Sequence, residues 1–212
     1  MSDNALPDEA APDREEPKVR HRMKPGQRRE QILQTLAGML EQPGAERITT
    51  ALLASKLDVS EAALYRHFAS KAQMFEGLID FIEHSVFGLV NQIAEREGDG
   101  AQKAARMVTV LLQFGEKNPG MARVMVGDAL VFEHERLHQR MNQLFERIES
   151  ALRQVLRVAA EANKSASPTA DAQVRAAVLV AFALGQLQRF ARSGFKRSPL
   201  DHLEASLALM CR

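Results

Sequence analysis

The chain has 212 residues, 45% of them hydrophobic and 26% charged, with a formal net charge of +1. This is the composition of an ordinary globular protein of one large or two small domains, long enough to bury a core without metals or disulfides. The single cysteine, Cys211, excludes an intramolecular disulfide scaffold. No apolar N-terminal run and no unbroken apolar stretch of about 20 residues marks a leader or a membrane span, so a cytoplasmic protein is expected.

Charge is spread unevenly. Residues 1–17 hold six acids against one arginine, whereas residues 18–71 hold ten Lys/Arg against five acids, and the remainder is nearly balanced. A basic segment of this kind is the electrostatic footprint of nucleic-acid binding when a reading motif lies within it.

Residues 1–26 carry four prolines and few large apolar side chains, which predicts a disordered tail. From Arg28 the pattern turns helical, with Ile32, Leu33, Leu36, Met39 and Leu40 on one face and Gln42-Pro43-Gly44 as the stop. A second helix starts near Thr49 or Thr50, either of which can cap it, and a third starts at Ser60. Ser70-Lys71-Ala72-Gln73 has the form of a capping box and opens a long fourth helix, striped by Phe75, Leu78, Ile82, Val86, Leu89 and Ile93.

Gly98-Asp99-Gly100 breaks the chain before a fifth helix that runs to about Lys117, and Asn118-Pro119-Gly120 breaks it again. A short helix follows, then a long one from about Leu130 to Ala162 and a polar loop from Asn163 to Ala170. Two last helices are expected over about Asp171–Ser193 and Pro199–Met210, the latter capped by Ser198. Strand-like alternation is nowhere sustained. The fold class is therefore all-α, divided into a tail at 1–26, a three-helix head at 27–69 and a helical body at 70–212.

The second and third helices have the requirements of a helix-turn-helix. The first helix of such a motif needs a small residue where the two cross, the turn needs a residue that tolerates a left-handed backbone, and the second helix needs an apolar residue reaching back. Ala54, Asp58 and Leu64 take those places, and Val59 plugs the turn. Asp accepts the left-handed region at some cost, where glycine would be free. Leu64 and Phe68 face inward and leave Glu61, Ala62, Tyr65 and Arg66 outward. Recognition helices present such N-terminal residues to base edges. Ser60 can hydrogen-bond bases or backbone, and Ala62 and Ala63 are small enough to meet a thymine methyl. Tyr65, His67 and Lys71 suit phosphates, Lys71 at a helix N-terminus where an anion is already favoured, and Arg28 and Arg29 flank the site. With Thr49 and Thr50 these residues form the candidate DNA-contacting set.

Through Ile48-Thr49-Thr50, Val59-Ser60, Leu64-Tyr65-Arg66-His67-Phe68 and Ser70-Lys71, the head resembles the TetR family of dimeric regulators. The blocks at 60–68, 114–120, 142–149, 153–157 and 189–196 resemble its nucleoid-occlusion branch, over about Arg28 to Lys196. That resemblance implies a homodimer on dispersed chromosomal sites, one or more dimers per site, associated with the nucleoid. It implies that the DNA-bound form antagonises assembly of the division protein FtsZ, so that no septum closes over the nucleoid. It also implies that the FtsZ tail docks beside the fourth and fifth helices, on Phe81, Val110, Gln113, Lys117 and Asn118. Asp58 and Ala69 stand where the resemblance leads one to expect Gly and Pro, and Gln113 where it leads one to expect Gly. Independently of it, Phe81 lies one position off the apolar stripe of its helix and is a candidate exposed aromatic. The near-continuous apolar run from Ala176 to Leu184 predicts a helix buried on several sides, as in a two-fold four-helix interface.

Two other functions compete. His134-Glu135-Arg136-Leu137-His138 matches the H-E-x-x-H zinc-protease helix. Its neighbours Glu133, Gln139 and Arg140 predict a solvated face, and there is no sheet to align a peptide, so no catalytic residue, metal or cofactor is expected. The alternative within the family is a repressor released by a small-molecule inducer. The chain has no Trp and its only Tyr is Tyr65, which is poor material for an aromatic inducer pocket in the body.

Overall fold

A computed structural model of the protein describes residues 26–42, 47–96 and 98–211. The expected disordered tail lies outside the described residues except for Gly26, as does the Pro43-Gly44 stop. Among the described residues the chain forms nine α-helices and no strand: α1 (Gln27–Leu40), α2 (Thr50–Lys56), α3 (Glu61–Tyr65), α4 (Lys71–Glu95), α5 (Gly100–Lys117), α6 (Pro119–Met125), α7 (Glu135–Ala162), α8 (Pro168–Arg192) and α9 (Leu203–Met210). The all-α expectation holds.

Several helix starts follow from side-chain caps that satisfy otherwise orphaned amides. The Thr49 hydroxyl accepts from Leu52 N at 3.1 Å, the Ser60 hydroxyl from Ala63 N at 3.3 Å and the Ser70 hydroxyl from Gln73 N at 3.2 Å. Gln73 reaches back as its position in the capping box predicts, but it accepts from Ala69 N, at 2.8 Å, one residue earlier than in the standard box. Asp99 caps α5 through Ala101 N and Gln102 N.

Four expectations need correction. Leu89 is exposed and Val90 is buried in its place, because after Val86 the buried face of α4 continues four residues on. The helix expected from Leu130 starts at Glu135: Gly127, at φ 84, opens a 3-10 turn at Asp128–Leu130, and His134 caps α7. Pro168 starts α8 three residues early, since its fixed φ suits a first helical turn. Ser198 does not cap the last helix. Its hydroxyl accepts from Leu200 N at 3.1 Å and donates to the Glu116 carboxylate, but α9 begins only at Leu203, after His202 at φ 59.

One continuous core runs from Ile32 and Leu36 in α1, through Leu53, Leu64 and Phe68 around the motif, to Leu179 and Leu187 in α8 and Leu207 in α9. α7 packs lengthwise on α8, α5 lies among α4, α7 and α8, and α1 rests on α4 and α6. By length and composition α8 could cross a membrane, which qualifies the expectation that no stretch came near that length. It is packed against α5, α6, α7 and α9, as the core helix of a bundle would be. Its outward residues Val174, Ala177, Val178, Ala181 and Gly185 form an unpartnered small and apolar stripe.

Candidate nucleic-acid interface and partner surface

The turn between α2 and α3 is built on Asp58, whose φ of 52 is the left-handed value the sequence reading requires there. Val59 N donates to Ala54 O at 3.1 Å, so the turn closes back on α2. Buried Ala54 and Leu64 sit where the two helices meet. The two helix starts are tied together: the Thr50 hydroxyl donates to the Glu61 carboxylate at 2.6 Å. Sequence reasoning assigned these two residues separately, and no local signal announces the pair.

Thr49, Ser60, Glu61, Ala62, Tyr65, Arg66 and His67 are exposed, while Thr50 and Ala63 are half-buried. Arg28 lies beside a hollow at the turn, lined also by Ser55, Asp58, Ser60 and Ala63, and donates to Gln31 Oε1 at 2.9 Å. Arg29 does something the sequence did not predict. Its guanidinium lies 4.0 Å from the centroid of the Phe68 ring and donates to His67 O at 2.8 Å. It therefore braces α1 against the exit of the recognition helix, with one face stacked and one N–H spent. Lys71 is likewise engaged, its ammonium paired with Glu133 of the body.

The residues expected to meet a partner lie on α4 and α5. Phe81 is 50% exposed, and its ring meets that of Phe114 at 6.0 Å between centroids, tilted by 44°. Val110, Gln113 and Lys117 follow helical spacing along α5, the first half-buried and the other two exposed. Asn118 departs from the others. Its Nδ2 donates to Phe114 O at 2.8 Å, so its side chain closes the end of α5. Phe81 and Asn118 also line a groove of ≈350 Å³ together with Glu30, Leu33, Ala37 and Leu78, which brings α1 of the head into the same hollow. Phe114, which backs the Phe81 ring, and the α1 residues of the groove were missed because core aromatics and first-helix residues carry no sequence mark of such contacts.

The H-E-x-x-H residues are occupied by the backbone. His134 Nδ1 accepts from Arg136 N at 3.3 Å, and His138 Nε2 lies 2.8 Å from Leu130 O. Among the described residues no group of three or more His, Cys, Asp or Glu is placed to hold a metal ion.

Residues 32–78 match the family described as bacterial regulatory proteins, tetR family, and residues 100–212 match the tetracyclin repressor-like, C-terminal domain of the SlmA-like kind. The chain is 50% identical over 188 residues to the nucleoid occlusion factor SlmA of Vibrio vulnificus (strain YJ016), covering 88% of this chain and 95% of that protein. It is 49% identical over 183 residues to the nucleoid occlusion factor SlmA of Idiomarina loihiensis, covering 86% and 93%. Among solved structures, the MbdR regulator from Azoarcus sp. CIB is similar in fold, with a TM-score of 0.71 at 15% identity over 86% of this chain and 96% of that one. The TetR-family regulator PfmR from Thermus thermophilus is similar too, with a TM-score of 0.68 at 20% identity over 85% and 97%.

Proposed function

The chain belongs to the nucleoid occlusion factors of the TetR family, and on that premise we propose that it acts as a DNA-bound homodimer that antagonises FtsZ assembly over the nucleoid. The observation that carries the partner half of this reading is the Phe81–Phe114 pair, flanked by exposed Gln113 and Lys117. An exposed aromatic beside a buried one offers an anchor for a partner side chain, and Lys117 offers a cation to an acidic tail.

The helix that carries Phe81 also leads out of the reading head. α4 begins at Lys71 and reaches Phe81 ten residues later, a rise of about 15 Å along one continuous helix. In this reading residues 27–69 are the DNA-binding head, residues 70–212 are the dimerisation and partner body, and the protein resides on chromosomal DNA in the cytoplasm. Glu61, Ala62, Ala63 and Ser60 meet base edges, and Tyr65, Arg66, His67, Thr49, Thr50, Arg28 and Lys71 approach the backbone, with Arg29 supporting the recognition helix. The outward stripe of α8 pairs with its two-fold copy, the closed arrangement most soluble oligomers use.

The test is co-sedimentation of FtsZ polymers with the protein, with and without a duplex it binds. Fewer polymers in the presence of DNA-bound protein is the expected result, and unaffected polymers would exclude it. A second reading, an inducer-released repressor, is favoured by a hollow of ≈500 Å³ lined by Met125, His138, Met141, Phe145, Val180 and Leu184. Release of DNA by a small metabolite, with FtsZ polymers untouched, would select that reading.

A further inference from the structure

Two cations that flank the helix-turn-helix are held by neighbouring residues of one body loop. Lys71, the first residue of α4, has its ammonium on the carboxylate of Glu133, whose side chain is only 9% exposed. Arg47, just ahead of α2, has its guanidinium 5.4 Å from the centroid of the Phe132 ring. The segment that supplies both contacts, Val131 to His134, joins the 3-10 turn to α7. Its apolar side chains stand largely in water, Val131 62% and Phe132 63% exposed.

Below Lys71 a ladder of charge contacts continues along the seam between α4 and α7. Arg136 donates to Glu76 at 2.8 Å, Arg140 donates to Asp80 and Glu83 at 2.8 Å each, and Arg147 lies 3.8 Å from the centroid of the Phe87 ring. In the Arg136 and Arg140 rungs the acid is on α4 and the cation on α7. Only the rung nearest the head reverses, placing the cation on α4 and the acid on the loop that enters α7. That reversal puts a basic side chain at the helix N-terminus that follows the recognition helix, where a phosphate would also bind.

We propose that Glu133 and Phe132 form a latch that DNA opens: phosphate oxygens draw Lys71 and Arg47 off the 131–134 loop, which is released only in the DNA-bound protein. The proposal rests on the DNA-binding reading of Lys71. A lysine carries one compact charge, and a carboxylate and a phosphate compete for it. With a phosphate at Lys71, the Glu133 carboxylate faces a like charge and must turn out into water. The Arg47 contact with Phe132, at an exposed site, is weak enough to be surrendered with it. Release then frees the entry to α7, whose Arg140 clamps Asp80 and Glu83 on either side of Phe81. The state of the head is thereby passed to the helix that carries the candidate partner surface.

The test uses the full-length homodimer, a duplex selected from a random-sequence library, and Glu133→Gln, which keeps the side chain's shape and removes its charge. Glu133→Gln should bind the duplex about two- to fivefold more tightly, the range for one partly exposed ion pair no longer broken on binding. Its log-affinity against log-salt slope should steepen by up to about one, because no carboxylate is left behind to recapture a cation. Hydrogen exchange at the amides of residues 131–137 should accelerate when wild-type protein binds DNA. In Glu133→Gln it should be fast already and indifferent to DNA. Phe132→Ala, an exposed truncation that does not threaten folding, should tighten binding in the same direction by less. Unchanged or weaker binding by both variants, or exchange at 131–134 that DNA leaves alone or slows in the wild type, overturns the latch. A wild-type protein that binds no selected duplex would instead overturn the DNA-binding reading beneath it.

Discussion

Gly120, in the first turn of α6, lies against the backbone of Ala37 in α1: a Cβ at Gly120 would run into the Ala37 carbonyl oxygen and stand 3.2 Å from the Leu40 Cβ. Head and body therefore meet backbone to backbone at this point, and only a residue without a side chain permits the approach. Gly120→Ala should force α1 and α6 apart at a cost of about 1–3 kcal/mol, the range for overpacking a well-filled site. Urea unfolding would measure it. Gly38→Ala on the same helix as Ala37 is the control, since nothing lies within 4 Å of its added Cβ. It should be neutral or stabilise by up to about 1 kcal/mol.

The turn of the reading motif should respond to the residue that can hold a φ of 52. Asp58→Val places a β-branched side chain in the left-handed region and should lower stability by about 1–2 kcal/mol. Asp58→Gly should be neutral or stabilise by less than about 1 kcal/mol, because relieved strain is partly offset by a freer unfolded chain. Thermal unfolding of the two variants beside the wild type decides it. Equal destabilisation by both would mean that the Asp58 side chain, not its backbone, carries the turn.

Arg29 and Tyr65 should fail differently. Arg29→Ala removes both the hydrogen bond to His67 O and the stacking on Phe68, so it should weaken DNA binding and also speed hydrogen exchange at the amides of residues 64–68. Arg29→Lys should not restore either, since an ammonium cannot stack flat and bond sideways at once. Tyr65→Ala, truncating a half-exposed side chain, should weaken binding to all sequences while leaving that exchange unchanged. Anisotropy titrations with exchange on the free proteins separate the two.

The partner surface should be separable from the reading head. Phe81→Ala and Lys117→Asp should reduce the effect on FtsZ assembly while affinity for DNA stays within about twofold, since neither side chain belongs to the DNA-facing set. Asn118→Ala should behave otherwise, because its Nδ2 closes α5 through Phe114 O at 2.8 Å. Loss of that bond should lower stability by about 1 kcal/mol. Parallel loss of DNA binding and FtsZ response in Lys117→Asp would point to misfolding and sink the assignment.

The helices were legible in the chain where local chemistry writes them. Thr49, Ser60 and Ser70 are caps that act within three residues, and the apolar period places Ile32, Leu36, Leu78 and Ile82 in the core without knowledge of what covers them. The left-handed turn at Asp58 was legible for the same reason, since the demand on its backbone is set by the two helices it joins. Legibility failed where distant contacts compete with a local signal. Ser198 makes the local cap contact, its hydroxyl accepting from Leu200 N, but the same hydroxyl donates to Glu116 of α5 and the chain turns through left-handed His202 before α9 begins.

The same limit separates the two levels of the functional site. Sequence alone determined that the protein is all-helical, that its reading helix opens at Ser60, and that Tyr65 and Phe81 stand outside their helices' apolar faces, because each follows from periodicity over a few residues. Only the tertiary structure decided which of the basic residues are already engaged. Arg29 is spent on His67 and Phe68, and Lys71 on Glu133, 62 positions along the chain. A long cation on a flexible stem takes whichever acceptor the fold carries to it, and the neighbours of Lys71 in the chain hold no record of the carboxylate that the adjacent entry to α7 brings.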